Sequence, residues 1–444
     1  MNISAAAATI SFLHDLHRMW GGATMDFAPH DPAYVAFLRH VAMACFGIGL
    51  VTFTLLLLIV ARRVFFTHSM RSPYTRTRRG FRQEASFDVM AVVLLGITAL
   101  SSLGGLLAEA QVDYSVHEIA HSMTNVSNTF HDIHAVTQSV SFTAAGVLAN
   151  TNDMLTAFNG SLPEEATALA IEALRLTHGS AALLIDGQAL PRNLSSIAYN
   201  WEAEYFWMKS STNGIILSMA LSCFLAIAAI GWSMSTSLRF AIFLALVIIP
   251  SAHALFGVYL SNAIEAADYC IAPSDNTLKL FHNDSSVQFF VECPSNTTLF
   301  ASEWTILNAS LDRSVELQTS LNAYAKTLPA ADRERLQNGY LDPIREQLGA
   351  LARFQSRFAA ASACGPVRAR HTEAVLTWCT YGVLGLFSLW IHQMVLCVLL
   401  FLSVIALVAI YENVRAKEDR MEMQYHLLAS YEDDNVEHLY MTPE

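Results

Sequence analysis

His117-Glu118-Ile119-Ala120-His121 has the most familiar catalytic spacing in this chain. On a helix, positions i and i+4 put both imidazoles on one face, where they can hold zinc while the glutamate acts as base. No third ligand follows at the spacing of the longer metzincin motif, and the surrounding apolar period puts His117 and His121 on the wetter side of the helix. Exposed helix histidines are therefore the expectation. His253 and His392 differ, because each sits in an apolar run free of Asp, Glu, Lys and Arg. A histidine there either lines a pathway or is neutral and satisfied by a backbone carbonyl or another helix; the second is expected. Pro250, three residues before His253, frees carbonyls for such a bond. Among the cysteines, Cys45, Cys223 and Cys397 fall in apolar runs and read as buried thiols. Cys270, Cys293, Cys364 and Cys379 fall together in a more polar region.

The elements that must position these residues are membrane helices. Val41–Ala61, Val89–Ala108, Ile215–Met234, Phe240–Leu260 and Ile391–Tyr411 lack Asp, Glu, Lys and Arg. Each is long enough to cross a ~30 Å hydrocarbon core as a helix of roughly 20 residues. After the first run, residues 62–87 hold Arg62, Arg63, Arg71, Arg76, Arg78, Arg79 and Arg82 against one acid, Glu84. That bias puts residues 62–88 in the cytoplasm, the N-terminus (1–40) outside and the acidic tail (412–444) inside. A short cytoplasmic turn is expected at 235–239. Residues 109–214 and 261–390 are then extracellular. All seven N-x-S/T sequons, at Asn2, Asn125, Asn159, Asn193, Asn283, Asn296 and Asn308, fall in the outer segments, as lumenal glycosylation requires. Four cysteines in an oxidising compartment imply two disulfides with three possible connectivities. The nested one, Cys270–Cys379 around Cys293–Cys364, would staple the ends of the region together. The start lacks a basic n-region, so the first span is expected to direct insertion.

Composition fits a polytopic membrane protein: 53% of residues are hydrophobic and 14% charged, and the net charge of -12 points to no nucleic-acid partner. The Arg-rich connector suits anionic inner-leaflet lipid as well as topology. In the first outer segment, Val112, Val116, Ile119, Met123, Val126, Phe130, Ile133, Thr137, Val140, Ala144 and Val147 alternate by four and three. This predicts one long helix continuing the second span, with Thr137 as a polar interruption of its seam. Pro163 and Glu164-Glu165 predict a helix start. Trp201, Tyr205, Phe206 and Trp207 form an interfacial aromatic belt before the third span. In the second outer segment, Asp275–Ser286 reads as a loop, and helices are expected over Glu303–Leu328 and Ala331–Ala361. The fifth span is expected to begin outside, near Val375. Tyr425-His426-Leu427-Leu428 matches a sorting pattern, but an amphipathic juxtamembrane helix is expected there. The fold class is thus an all-α membrane protein, with five transmembrane helices and a helical extracellular domain built from two outer segments.

This order of elements resembles the Tweety family. LHDLHRMW followed by DFAPHDPAYVAFL is similar to the family's opening segment. ADYCIAPSDNTL and SSVQFFVECPSN are similar to its paired cysteine motifs, Cys364 and Cys379 match the later pair, and SYEDDNVE resembles its acidic tail. The resemblance covers nearly the whole chain. It implies a plasma-membrane homodimer described as a chloride channel gated by calcium or cell volume, with outer helices associated with calcium and with a lipid-accommodating pocket. Membrane lipid, chloride and a second copy are the implied partners; no organic cofactor and no enzymatic activity are implied.

The resemblance also points to residues. The family's calcium site lies where the second span emerges, where this chain offers Glu109, Gln111 and Asp113; Gln111 departs from the acidic pattern, and calcium takes six or more oxygens. Arg175 is the nearest match to an outer arginine associated with anion conduction. Against a chloride path, residues 109–214 carry only Arg175, Arg192 and Lys209 beside eleven acids, a field that repels anions. The ordinary alternative for Arg175 is pairing with Glu172, and for the acids a solvated helix start. Three function classes follow: an anion channel, a non-conducting membrane protein whose outer helices bind lipid or a partner, and, ranked far below these, an ectoenzyme.

Overall fold

A computed structural model of the chain describes residues 3–21, 26–66, 80–159, 161–191, 194–294 and 299–440. Arg71, Arg76, Arg78, Arg79 and Arg192, and the sequon residues Asn2, Asn193 and Asn296, lie outside them. Among the described residues there is no strand. The helices are α1 (Ile3–Gly21), α2 (Pro32–Val60), α3 (Gly80–Phe158), α4 (Glu164–Ala189), α5 (Leu194–Gly231), α6 (Ser235–Ile271), α7 (Pro273–Leu280), α8 (Ser285–Glu292), α9 (Ala301–Ala325), α10 (Ala330–Leu336), α11 (Asp342–Ala361), α12 (Cys364–Thr377) and α13 (Val383–Tyr440). Five helical stretches are long and apolar enough to cross a membrane; four contain one of the five charge-free runs whole, and the third contains its run only as far as Gly231.

Local chemistry sets several boundaries. Asp31 caps α2 by accepting from the Ala33 N–H at 2.8 Å, and Pro32 takes the first helical position, where no N–H is needed. The turn expected at 235–239 instead lies at Trp232–Met234, where Ser233 takes a left-handed φ of 53°. Residues 235–239 are the first turn of α6; Arg239 there lies over the Tyr411 ring at 5.3 Å and donates to its hydroxyl. The expected loop over Asp275–Ser286 is likewise mostly helical, because Asp284 caps α8 through the Ser286 and Val287 N–H groups and the break is confined to Phe281–Asp284, with His282 and Asn283 left-handed. The fifth span does begin well before its apolar run: α12, a π-helical turn at Trp378–Gly382 and α13 follow one another without a loop.

The chain divides into two compact units: Met1–His117, Ala203–Asn276 and Leu376–Glu444 form the first, and Glu118–Glu202 with Thr277–Val375 the second. In the first unit α6 packs against α2 and α13. Gly257 allows the α2 contact, since a Cβ there would lie 2.6 Å from the Ala42 carbonyl oxygen. One apolar cluster gathers Leu56, Leu95, Met219, Ile242, Leu246 and Leu400; another gathers Leu13, Tyr34, Val112, Tyr259, Val383 and Leu386. In the second unit the α3 seam is the core: Phe130, Ile133, Val140, Ala144 and Val147 are buried against α4, α9 and α11. The polar interruption is accommodated, because the Thr137 hydroxyl donates to the His134 carbonyl at 2.9 Å and the side chain packs where Gly187 has no Cβ. Both disulfides form with the nested connectivity, Cys270–Cys379 within the first unit and Cys293–Cys364 within the second. Cys45, Cys223 and Cys397 are buried free thiols.

Candidate functional site

Glu109 and Asp113 lie one helical turn apart on α3, facing Tyr205, Lys209 and Asn213 at the same spacing on α5. Lys209 Nζ donates to Asp113 Oδ1 at 2.9 Å, Asn213 Nδ2 to Glu109 Oε1 at 3.2 Å, and the Tyr205 hydroxyl to the Glu109 carbonyl at 3.4 Å. Glu109 is only 4% exposed. Burial pushes its carboxyl above the ordinary range, and the Lys209 charge works against that. Gln111, two residues on, sits about 200° round the helix and points away from this ladder. Among the described residues no group of three or more His, Cys, Asp and Glu side chains is arranged to hold a metal ion. His117 and His121 are exposed, and His121 Nδ1 lies 3.2 Å from the amide of the sequon residue Asn125.

Sequence reasoning missed a second cluster. The Asp268 carboxylate on α6 is completely buried and gathers groups from two other helices. His14 Nδ1 lies 2.8 Å from Oδ1, His17 Nδ1 2.7 Å from Oδ2, and the Tyr34 hydroxyl donates to Oδ2 at 3.0 Å. His17 also stacks on Phe37, with ring centroids 4.6 Å apart. Asn276 Nδ2 donates to the carbonyls of Asp268 and Tyr269, closing the end of α6. Burial pushes the carboxyls of Asp268 and neighbouring Glu265 upward; for Asp268 the His14 bond and the His17 charge oppose this. The signal available in sequence was the i, i+3 spacing of His14 and His17, which puts both on one face of α1.

Within the spans, His253 Nδ1 bonds the Ile249 carbonyl at 2.9 Å, the satisfied histidine expected of that position. Thr98 and Ser403 pair at 3.2 Å, and Thr212 pairs with Tyr259. α13 is different. His392 packs its ring into the space left by Gly105, and its Nε2 has no hydrogen-bond partner among the described residues. Neither amide atom of Gln393, which is fully buried, has one either, nor does Trp390 Nε1. Unmet polar groups are costly in a bilayer, so this level of the first unit carries an unsatisfied polar cluster. Glutamine and tryptophan in an apolar run drew no attention in the sequence because neither carries charge.

Arg175, on α4, donates to Glu172 Oε1 at 2.7 Å while its own side chain stays 63% exposed. Glu172 therefore offsets much of its charge locally.

A family model for Tweety matches residues 5–430. The chain belongs to the Tweety family. That match spans the α1 histidines, both disulfides and all five apolar helices of this Tweety chain. A comparison with curated proteins found no match. Of the residues singled out from the sequence, the structure brings Glu109 and Asp113 into one ladder, leaves Gln111 off it, and pairs Arg175 with Glu172.

Proposed function

We propose that this Tweety chain is a plasma-membrane anion-conducting protein, with chloride as the permeant ion and calcium or cell volume as the regulator. Membership of the family over residues 5–430 is the observation that carries this reading. The unpartnered Trp390 Nε1–H and Gln393 amide N–H groups support it, because neutral N–H groups at the level of a span without acids can meet a partly dehydrated anion. The proposed orientation has the N-terminus outside and the C-terminus inside, as the Arg-rich connector and the sequons favour. Calcium would bind beside Glu109 and Asp113, with Asp113 exchanging Lys209 for the metal and with Gln111 off that face.

A second reading has support of its own: a non-conducting protein that binds lipid or a partner chain. Phe142, Ile171, Leu174 and Ile185 are exposed on helices of the second unit, and Arg175 is already paired. Whole-cell recording in cells without endogenous volume-regulated channels separates the two. Under the conducting reading Arg175→Ala lowers chloride current or shifts anion selectivity at normal surface expression, and Arg175→Lys retains part of the function because a point charge suffices to guide chloride. Wild-type currents from both variants would remove Arg175 from the pathway.

A further inference from the structure

The packed face of α3 in the first unit is polar where it should be apolar. Leu95, Thr98, Ser102, Gly105, Glu109 and Val112 recur there at intervals of 3, 4, 3, 4 and 3, and all are buried. The middle four, over about 17 Å of helix, carry a hydroxyl, a carboxyl or no side chain. Other helices meet them with polar groups. Ser403 Oγ lies 3.2 Å from Thr98 Oγ1, the His392 ring fills the space beside Gly105, and Asn213 donates to Glu109. Small residues alone would serve close helix packing. Gln393 does not fit that explanation. On α13, Leu386, Leu389, Gln393, Leu396 and Leu400 form one buried seam at intervals of 3, 4, 3 and 4. The glutamine among these leucines is 0% exposed, and both its amide atoms lack a partner among the described residues. Trp390 Nε1, about 60° round the helix, lacks one too, although the Trp390 ring is held against Phe256 and Phe387. On the other flank His392 bonds the Ser102 backbone, which leaves its Nε2 as a bare acceptor.

We propose that Trp390 and Gln393, with the polar face of α3, form a binding site for a partly dehydrated halide inside the helix bundle of a single chain. The proposal rests on the anion-conducting reading and gives it a place. That place is the start of the fifth apolar run, level with Gly105 and one helical turn from Glu109. The donors choose the ligand. An indole N–H can only donate, which suits an anion and not a cation. The Gln393 amide N–H groups add a second donor. Residues 391–411 contain no Lys or Arg, so the anion is held by neutral dipoles alone, weakly enough to leave again. A water retained by the anion donates in turn to Gln393 Oε1 and His392 Nε2. Each unpartnered atom of the cluster then has a role, which close packing does not give it.

The test pairs chloride flux from liposomes with the melting temperature of the same full-length protein. Gln393→Leu completes the leucine seam and removes an unsatisfied buried amide, so its melting temperature is expected to equal or exceed that of wild type. Its chloride flux is expected to fall roughly tenfold or more, the worth of one hydrogen bond to a charged group. Trp390→Phe keeps the ring stacking and loses the N–H; lower flux at an unchanged melting temperature is expected. Replacing gluconate by chloride should raise the melting temperature of wild type but not of Gln393→Leu. Full flux from Gln393→Leu beside a conducting wild type would overturn the site and leave the conducting reading standing. Absence of flux from wild type would overturn both. A lowered melting temperature in Gln393→Leu would make Gln393 a structural amide. A melting temperature that follows sodium rather than chloride would make the site cationic. Either result overturns the proposal.

Discussion

Replacing Cys270 and Cys379 together with serine is expected to cost about 4 kcal/mol of stability and to hold much of the protein inside the cell. The bridge joins residues 109 apart in sequence, at the end of α6 and in the turn before α13. With the inner bridge intact, the loop it closes shortens to 23 residues on one side and 15 on the other, and loop-closure entropy still predicts about that cost. The measurement is the melting temperature of purified variant and wild type by intrinsic fluorescence, alongside surface delivery. Breaking Cys293–Cys364, which spans 71 residues within the second unit, is expected to have a similar but locally confined effect. An unchanged melt with normal delivery, after mass mapping has verified loss of the bridge, would contradict the role given to it.

The second large effect is expected at Asp268. Its carboxylate is the acceptor for His14, His17 and Tyr34, and removing it leaves three polar groups without their acceptor, two of them buried. Breaking a buried hydrogen-bonded pair by deleting one partner costs about 3–5 kcal/mol, so Asp268→Ala should destabilise by that amount and loosen α1. His17→Ala should cost less, and the double variant should cost clearly less than the sum of the two, because each single change already breaks the same contact. Additive losses would show that His17 and Asp268 do not act on one another. Protection of α1 backbone amides from hydrogen exchange provides an independent readout.

What the sequence made legible follows from the range of the forces involved. The five spans, the long α3 helix and its buried seam depend on periods of a few residues, so local pattern carried them. Thr137 could be recognised as an interruption, but not its place against Gly187, since that depends on α4. The Trp232–Met234 turn was displaced by three residues because an apolar run does not mark where its helix breaks; Ser233 and its left-handed backbone do. α7 was hidden by its polar composition. The Asp268 cluster joins residues 234 to 254 apart, and no local spacing announces that an aspartate ten residues after Val258 will meet the first helix. Gln393 escaped for the opposite reason: its surroundings are unremarkable until burial reveals that nothing satisfies its amide.

The measurement that tests the central claim most directly is chloride flux from liposomes holding the purified protein as the only protein, with and without calcium. The proposed function predicts chloride efflux above that of protein-free liposomes, increased by calcium, with the calcium response lost in Asp113→Ala while basal flux remains. Efflux indistinguishable from empty liposomes under both conditions, from protein that is folded and carries both disulfides, would contradict it.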